Sequence, residues 1–571
     1  LQHGWYRYHA LFAEALQHYA RKTLSEAEVQ EIYERASRWY EEQGLADDAV
    51  EAAFIAGDFL RAASLIEQFI DPFTVNNEYD TLCGMIEQLP DAILQQHPRL
   101  SFTFAIAILF ASDRHTRDTL HRLQKPLNYA EQYWRSAGSS REIGQMLAFR
   151  SMAIWWQGDY QEAFTTAHEA LELLPEEDAH WRAVCLANLG FEALLAGRLN
   201  DAHKINAQAG TLFEIVGNNY GKRACMILQG ELIRHQGELR HARWHYQELL
   251  KAAAEDPSDY AYALYVLAAL AYEWDDLETA MRYASHAQEL AKQQGEYDIH
   301  IRSVMVMAQV LFAGGEESRS RQLLRETEAL PLLKYSPLPQ RELQVCLVRL
   351  ALASGDLNMV EDWLTLRERH AEGQPEDVMR LQQEREALLI ARLFIRQGKY
   401  QDALWLLDQW QVEAHAQEHK HTALEILMIK ALAYFARDDH IQAHHLIAKA
   451  LSLAEPEGYQ RLFIDEGQPM AQLLRSALAV IGNQSTGLYA RQLLQKLEAL
   501  TPPADILPVE PLSQQEKRVL RLLSAGLSNP EIAQELIVSI NTVKTQVKSI
   551  YRKLNVSSRD EVRNLDLSLQ L

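Results

Sequence analysis

Four cysteines in 571 residues, Cys83, Cys185, Cys225 and Cys346, stand far apart and form no CxxC pair. That spacing argues against a zinc site or a disulfide framework, and free core thiols in a reducing cytoplasm are expected instead. The chain also lacks an uninterrupted apolar stretch of membrane-spanning length and a signal peptide, so neither a membrane partner nor export is expected. Positive charge is short as well: 56 Lys or Arg stand against 78 Asp or Glu, a net charge of −22. Phosphate binding over a broad surface is thereby disfavoured, and any nucleic-acid site must be local. Glycine and proline are few, at 25 and 17 residues. Strand-forming runs are scarce while Ala, Leu, Glu and Gln abound, so an all-α protein is expected. The sequence opens at Leu1 rather than at a methionine, which reads as part of a longer protein.

What the sequence has in quantity is a repeat. A turn residue precedes an aromatic residue or leucine, and a small residue follows three positions later. Gly158, Tyr160 and Ala163 define the pattern, which returns as Gly197, Leu199 and Ala202 and again as Gly237, Leu239 and Ala242. Looser copies begin at Asp275, Gly315, Gly355, Gly398 and Asp438, with an early outlier at Gly57. The period is close to forty residues, longer than the tetratricopeptide norm of about 34. Physically, the glycine or aspartate ends one helix in a tight turn, and the small residue lets the next helix pack closely. Each repeat is then a helical hairpin that cannot bury its apolar stripe alone, so the hairpins stack into a tetratricopeptide-like superhelix with a concave binding surface.

The pattern fades after Gly458, where Tyr459 to Gly467 reads as a short connection into a helical stretch over 470–499. Four prolines between Thr501 and Pro511 exclude a helix and mark a linker. Beyond it the composition changes sign. Between Ser513 and Leu565 nine Lys or Arg face five Asp or Glu, a balance of +4 that leaves −26 on the rest of the chain. Helices are predicted over 513–524, over 529–536 and over 540–554. Ser528 and Glu531 form a capping box around Pro530, and Ser539 caps the third helix. On that helix Val543, Val547, Ile550 and Leu554 make one apolar stripe, which turns Asn541, Lys544, Thr545, Lys548 and Arg552 outward. A cationic helix face with short hydrogen-bonding side chains in its first turns suits a major groove flanked by phosphates.

The segments Leu512 to Glu516, Gly526 to Ala533, Thr542 to Lys544 and Ile550 to Leu554 resemble the LuxR-type helix-turn-helix. The resemblance implies base or phosphate contacts from Lys544 and Lys548, backbone contacts from Thr542 and Ser528, and pairing of two modules through a final helix from Ser558. Two positions depart from it: Gln546, where the family often has histidine but where glutamine can still read adenine, and Asn555, where it often has glycine. The body resembles the large ATP-dependent LuxR regulators of the MalT-like group. Trp5 to Phe12 is similar to the end of their winged-helix segment, Ala36 to Gly44 with Ala49 and Ala56 to Phe59 to their first helical unit, and Tyr459 to Gly467 to the segment after the repeats. That likeness divides the chain into 1–70, the winged-helix remnant and first unit; 71–457, the superhelix; 458–500, a helical connection; 501–512, the linker; and 513–571, the DNA-binding domain. It implies promoter DNA as a partner, a small-molecule inducer or regulatory protein in the superhelix, and self-association on DNA. No GxxxxGK[ST] loop is present, since Gly221-Lys222-Arg223 and Gly398-Lys399-Tyr400 lack the context. No enzymatic activity and no cofactor are therefore expected of this chain, and ATP only at a domain upstream of Leu1.

A scaffold would use the superhelix for protein partners and the last domain only for pairing. His415-Ala416-Gln417-Glu418-His419 matches the inverted zinc-peptidase signature H-x-x-E-H, but a polar run between two repeat helices reads more simply as a solvated edge. Trp155, Trp156, Trp405 and Trp410 could line a groove, although helical spacing favours core positions.

Overall fold

The computed structural model describes residues 23–500 and 513–554, with Leu16 and Tyr19, apart from 76–78, 113–116, 255, 331–332, 334–336, 372–378, 483–484 and 525. Trp5 to Phe12, the proline-rich linker, Asn555 and the segment from Ser558 lie outside the described residues. No strand occurs among the described residues. The chain divides into two compact units, Leu1–Asp465 and Glu466–Leu571.

In the first unit eight helical hairpins run from Ser140–Trp156 with Tyr160–Leu173 to Lys420–Ala436 with His440–Ala454. Every turn residue picked from the repeat has a left-handed backbone, including the non-glycines Asp275 (φ 63°) and Asp438 (φ 62°). Aspartate tolerates this conformation better than most residues, and the aspartate that follows each of the two caps the next helix: Asp276 accepts from the Thr279 N–H and Asp439 from that of Gln442. The small residues three positions into each second helix, Ala163, Ala202, Ala242, Ala280, Ser320, Ala403 and Ala443, are completely buried, because the two helix backbones meet there.

Glycines inside the first helices allow still closer approach. A Cβ at Gly230 would fall 2.5 Å from the Tyr246 ring, whereas one at Gly84 would meet nothing within 4 Å. Gly230→Ala is expected to destabilise the fold by about 1–3 kcal/mol through overpacking. Gly84→Ala, on an exposed helical site, should be neutral or stabilising by up to about 1 kcal/mol. Denaturant unfolding of the two variants checks the contrast, and equal midpoints would contradict the packing described.

The superhelix closes on itself. Counting from Ser140, the second hairpin meets the seventh through Ala179–Leu195 and Arg380–Arg396, and the third meets the eighth through Asn219–His235 and Lys420–Ala436. The segment after each later hairpin hydrogen-bonds the turn of the earlier one. His419 Nε2 lies 2.7 Å from the Gly197 carbonyl and the Tyr459 hydroxyl 3.4 Å from that of Gly237. The post-repeat segment completes the seam: the Trp274 indole donates to the Glu457 carbonyl (2.9 Å), the Gln460 N–H to that of Glu273 (3.0 Å), and Arg461 pairs with Asp275 (2.5 Å).

This seam corrects one expectation. His415 is exposed, but His419 is 1% exposed and sits inside the seam rather than on a solvated edge. Its Nδ1 lies 2.7 Å from Glu384 Oε2, and Glu384 Oε1 accepts from the Thr422 hydroxyl. Both ring nitrogens face oxygen acceptors, so the imidazolium is the form that satisfies them. The tryptophans divide: Trp410 is buried, Trp405 is 62% exposed, and Trp155 and Trp156 line a cavity.

In the second unit Gln468–Ile481 pairs with Ser485–Leu500. The helices Gln514–Ser524, Asn529–Glu535 and Ile540–Leu554 enclose a small core of Val519, Leu520, Leu523, Ile532, Ala533, Val543, Val547 and Ile550.

Candidate nucleic-acid interface and superhelix lumen

The Ile540–Leu554 helix is held from its start and from its flank. Ser539 caps it, its hydroxyl accepting from the Thr542 N–H at 3.1 Å. Ser528 and Glu531 brace the preceding helix: the carboxylate accepts from the Ser528 N–H and hydroxyl, each at 2.6 Å. On the flank Glu516, 6% exposed, takes the Ser549 hydroxyl (2.7 Å), the Lys553 ammonium (2.9 Å) and the Ser513 N–H (2.7 Å). This acid ties the start of the module's first helix to the far end of its third. The Ser513-x-x-Glu516 spacing is a capping-box signal that could have exposed this role in the sequence.

Burial alone would raise the Glu516 pKa, but its donors, Lys553 foremost, hold it down at about 2. A carboxylate with a depressed folded pKa contributes its stability above the ordinary glutamate range and loses it as pH falls from there toward 2. Glu516→Gln should remove that acid limb. In melts between pH 2 and 6 the gap between wild type and variant is expected to narrow as pH falls, and a constant gap would contradict the account.

With the apolar stripe buried, Asn541, Lys544, Thr545 and Lys548 are brought together on the exposed face. Lys544 and Lys548 make no hydrogen bond or ion pair among the described residues, so both ammonium groups are available to an anion. The remaining candidates are placed differently. The hydroxyls of Ser528 and Thr542 are engaged in the caps, Thr542 meeting Ser539 Oγ at 2.8 Å. Gln546 turns to the first helix and donates to Gln515 at 3.2 Å. The Arg552 side chain lies outside the described residues.

The first unit holds a second candidate site, of which the sequence reading named only Trp155 and Trp156. Two adjoining cavities of about 270 and 320 Å³ lie inside the closed superhelix and share Arg234, Arg302, Glu342, Gln382 and Arg385. Their walls carry ion pairs: Arg302 with Glu342 (2.9 Å) and Arg392 with Glu425 (2.8 Å), both largely buried, Arg234 with Glu231 (3.0 Å), and the exposed Arg385 with Glu342 (2.9 Å). Burial would raise the Glu231 pKa, but Arg234, His235 and the Tyr246 hydroxyl bring it down to about 2. Glu273 shows the opposite balance, pushed up to about 8 by burial against a weaker opposing hydrogen bond from the Leu462 N–H. Gln382 is 2% exposed and its Oε1 has no hydrogen-bond partner among the described residues. Among the described residues no group of three His, Cys, Asp or Glu could hold a metal ion, and no helix is long and apolar enough to cross a membrane.

The family described as the MalT-like TPR region matches residues 144–479, and the family of bacterial regulatory proteins described as luxR matches residues 510–564. Among curated relatives, the chain is 23% identical to the HTH-type transcriptional regulator MalT of Vibrio cholerae serotype O1, over 100% of this chain and 65% of the relative. It is 23% identical to that of Yersinia enterocolitica (99% and 65%) and 24% identical to that of Cronobacter sakazakii (98% and 63%). The chain thus spans about 65% of the length of the curated relatives it matches.

Proposed function

The chain belongs to the MalT-like TPR family, and from that premise we propose that it is a DNA-binding regulator of transcription, with output through residues 513–571 and signal reception in the superhelix. The observation that carries the reading is the helix Ile540–Leu554, whose exposed face holds two lysines without partners among the described residues on a module of charge +4 in a chain of −22. Such a distribution confines phosphate binding to one face and keeps the acidic body off the duplex. The matches to relatives named transcriptional regulators support it. Titrating the full chain against a fluorescent duplex of random sequence at several salt concentrations tests it. Affinity is expected to fall steeply and linearly on a double-logarithmic plot, and salt-independent or absent binding would favour the scaffold instead.

Reception of a small molecule in the lumen is supported by its construction. Buried Arg–Glu pairs contribute little net stability compared with apolar packing, yet they line both cavities, and Gln382 Oε1 offers an acceptor that a ligand N–H or O–H would satisfy. Occupancy would change how chains assemble, and hence how many modules reach neighbouring sites, converting weak single contacts into avid ones.

A further inference from the structure

Most aliphatic side chains of the helix-turn-helix module are buried, yet three within four residues are open to water at the start of its third helix. Ile537 is 92% exposed, Val538 41% and Ile540 45%. A single exposed isoleucine is ordinary; a run of them is not, least of all with Ile537 in the left-handed backbone region (φ 53°), which a β-branched residue rarely adopts. Among the described residues no packing accounts for this placement.

The neighbours of Ile540 indicate what covers it. Lys544 stands one turn further along the helix and Lys548 two turns, both exposed, so an anionic surface lying on this helix end reaches Ile540 as well. The exposed Thr545 adds a second apolar group. Its hydroxyl donates to the Asn541 carbonyl at 2.9 Å, which leaves the methyl as the group presented outward. In a major groove the apolar feature of the base edges is the C5-methyl of thymine.

We propose that Ile540, with the outward methyl of Thr545, reads thymine methyl groups and so determines part of the sequence preference of this module. The proposal rests on the DNA-binding reading above and adds to it a base identity. Where the lysines meet phosphates they supply affinity without sequence information; Ile540 and Thr545 supply discrimination.

The test uses the full chain and two alternating duplexes, poly(dA–dT) and poly(dA–dU), which carry the same phosphates and differ by the thymine methyl. Wild type is expected to prefer the thymine duplex by about fourfold for each methyl covered. Ile540→Asn should bring the ratio toward one while preserving the salt dependence. Ile537→Asn, which removes an exposed isoleucine outside the helix and relieves its backbone, should keep the preference and raise the thermal midpoint. Equal wild-type affinity for the two duplexes, or an undiminished preference in Ile540→Asn, overturns the proposal alone. Binding to neither duplex overturns the DNA-binding reading with it.

Discussion

Reversing both charges, Lys544→Glu with Lys548→Glu, is expected to weaken duplex binding by at least about a hundredfold near 100 mM salt and to flatten the salt dependence by close to two units of slope. Each lysine that neutralises a phosphate contributes a slope of about −0.9 on a double-logarithmic plot. Reversal also sets a carboxylate against the backbone, so the loss exceeds that of simple truncation. Both side chains are exposed and pair with nothing among the described residues, and exposed substitutions of this kind change stability by no more than about 0.5 kcal/mol. An unchanged melt therefore accompanies the lost affinity, which separates a broken interface from a broken fold. Retained binding with an unchanged slope would place the contact elsewhere.

His419→Ala is expected to cost about 3–5 kcal/mol, because it removes one partner of a buried pair and leaves Glu384 charged and enclosed. The side chains are 1% and 4% exposed, so solvent compensates little. Burial by itself would lower the His419 pKa, but the hydrogen bond and charge of Glu384, with the Gly197 carbonyl and Glu413, raise it above the ordinary histidine value. A raised folded pKa means that the stabilisation is fully present below the unfolded value near 6.5 and fades as pH climbs through the folded one. The difference in melting temperature between wild type and variant should thus be largest at mildly acidic pH and shrink in alkali. His415→Ala, at an exposed position on the same signature, is the control and should leave the melt unchanged. A difference that grows with pH, or equal effects of the two variants, would contradict the seam described.

Local chemistry was legible in the sequence, and long-range geometry was not. A turn residue such as Asp275 and the small residue at Ala280 announce a hairpin because backbone handedness and helix spacing act within a few residues of each other. The third helix of the module was readable for the same reason: an apolar stripe, a serine cap and a polar face fit in fifteen residues, and the helix observed, Ile540–Leu554, has the predicted bounds. The seam is different. His419 and Gly197 are 222 residues apart, and no periodicity links a loop to a turn five hairpins earlier. The motif His415 to His419 consequently looked solvated, although its second histidine closes the superhelix. The charged lining of the lumen was hidden in the same way. Arg302, Glu342 and Arg385 come from three hairpins, and each alone reads as an ordinary charged residue on a helix. Gln546 shows a finer limit, since its hydrogen bond to Gln515 depends on where the first helix packs.

The account stands most directly on the exposed lysine face meeting a duplex, and chemical acetylation of lysines in the full chain, read by mass spectrometry with and without duplex DNA, probes that contact at named residues. Lys544 and Lys548 are expected to lose reactivity when DNA is bound, while Lys204 and Lys399 on the superhelix keep theirs. Equal labelling of Lys544 and Lys548 in the two conditions, at DNA concentrations that saturate binding, would contradict it.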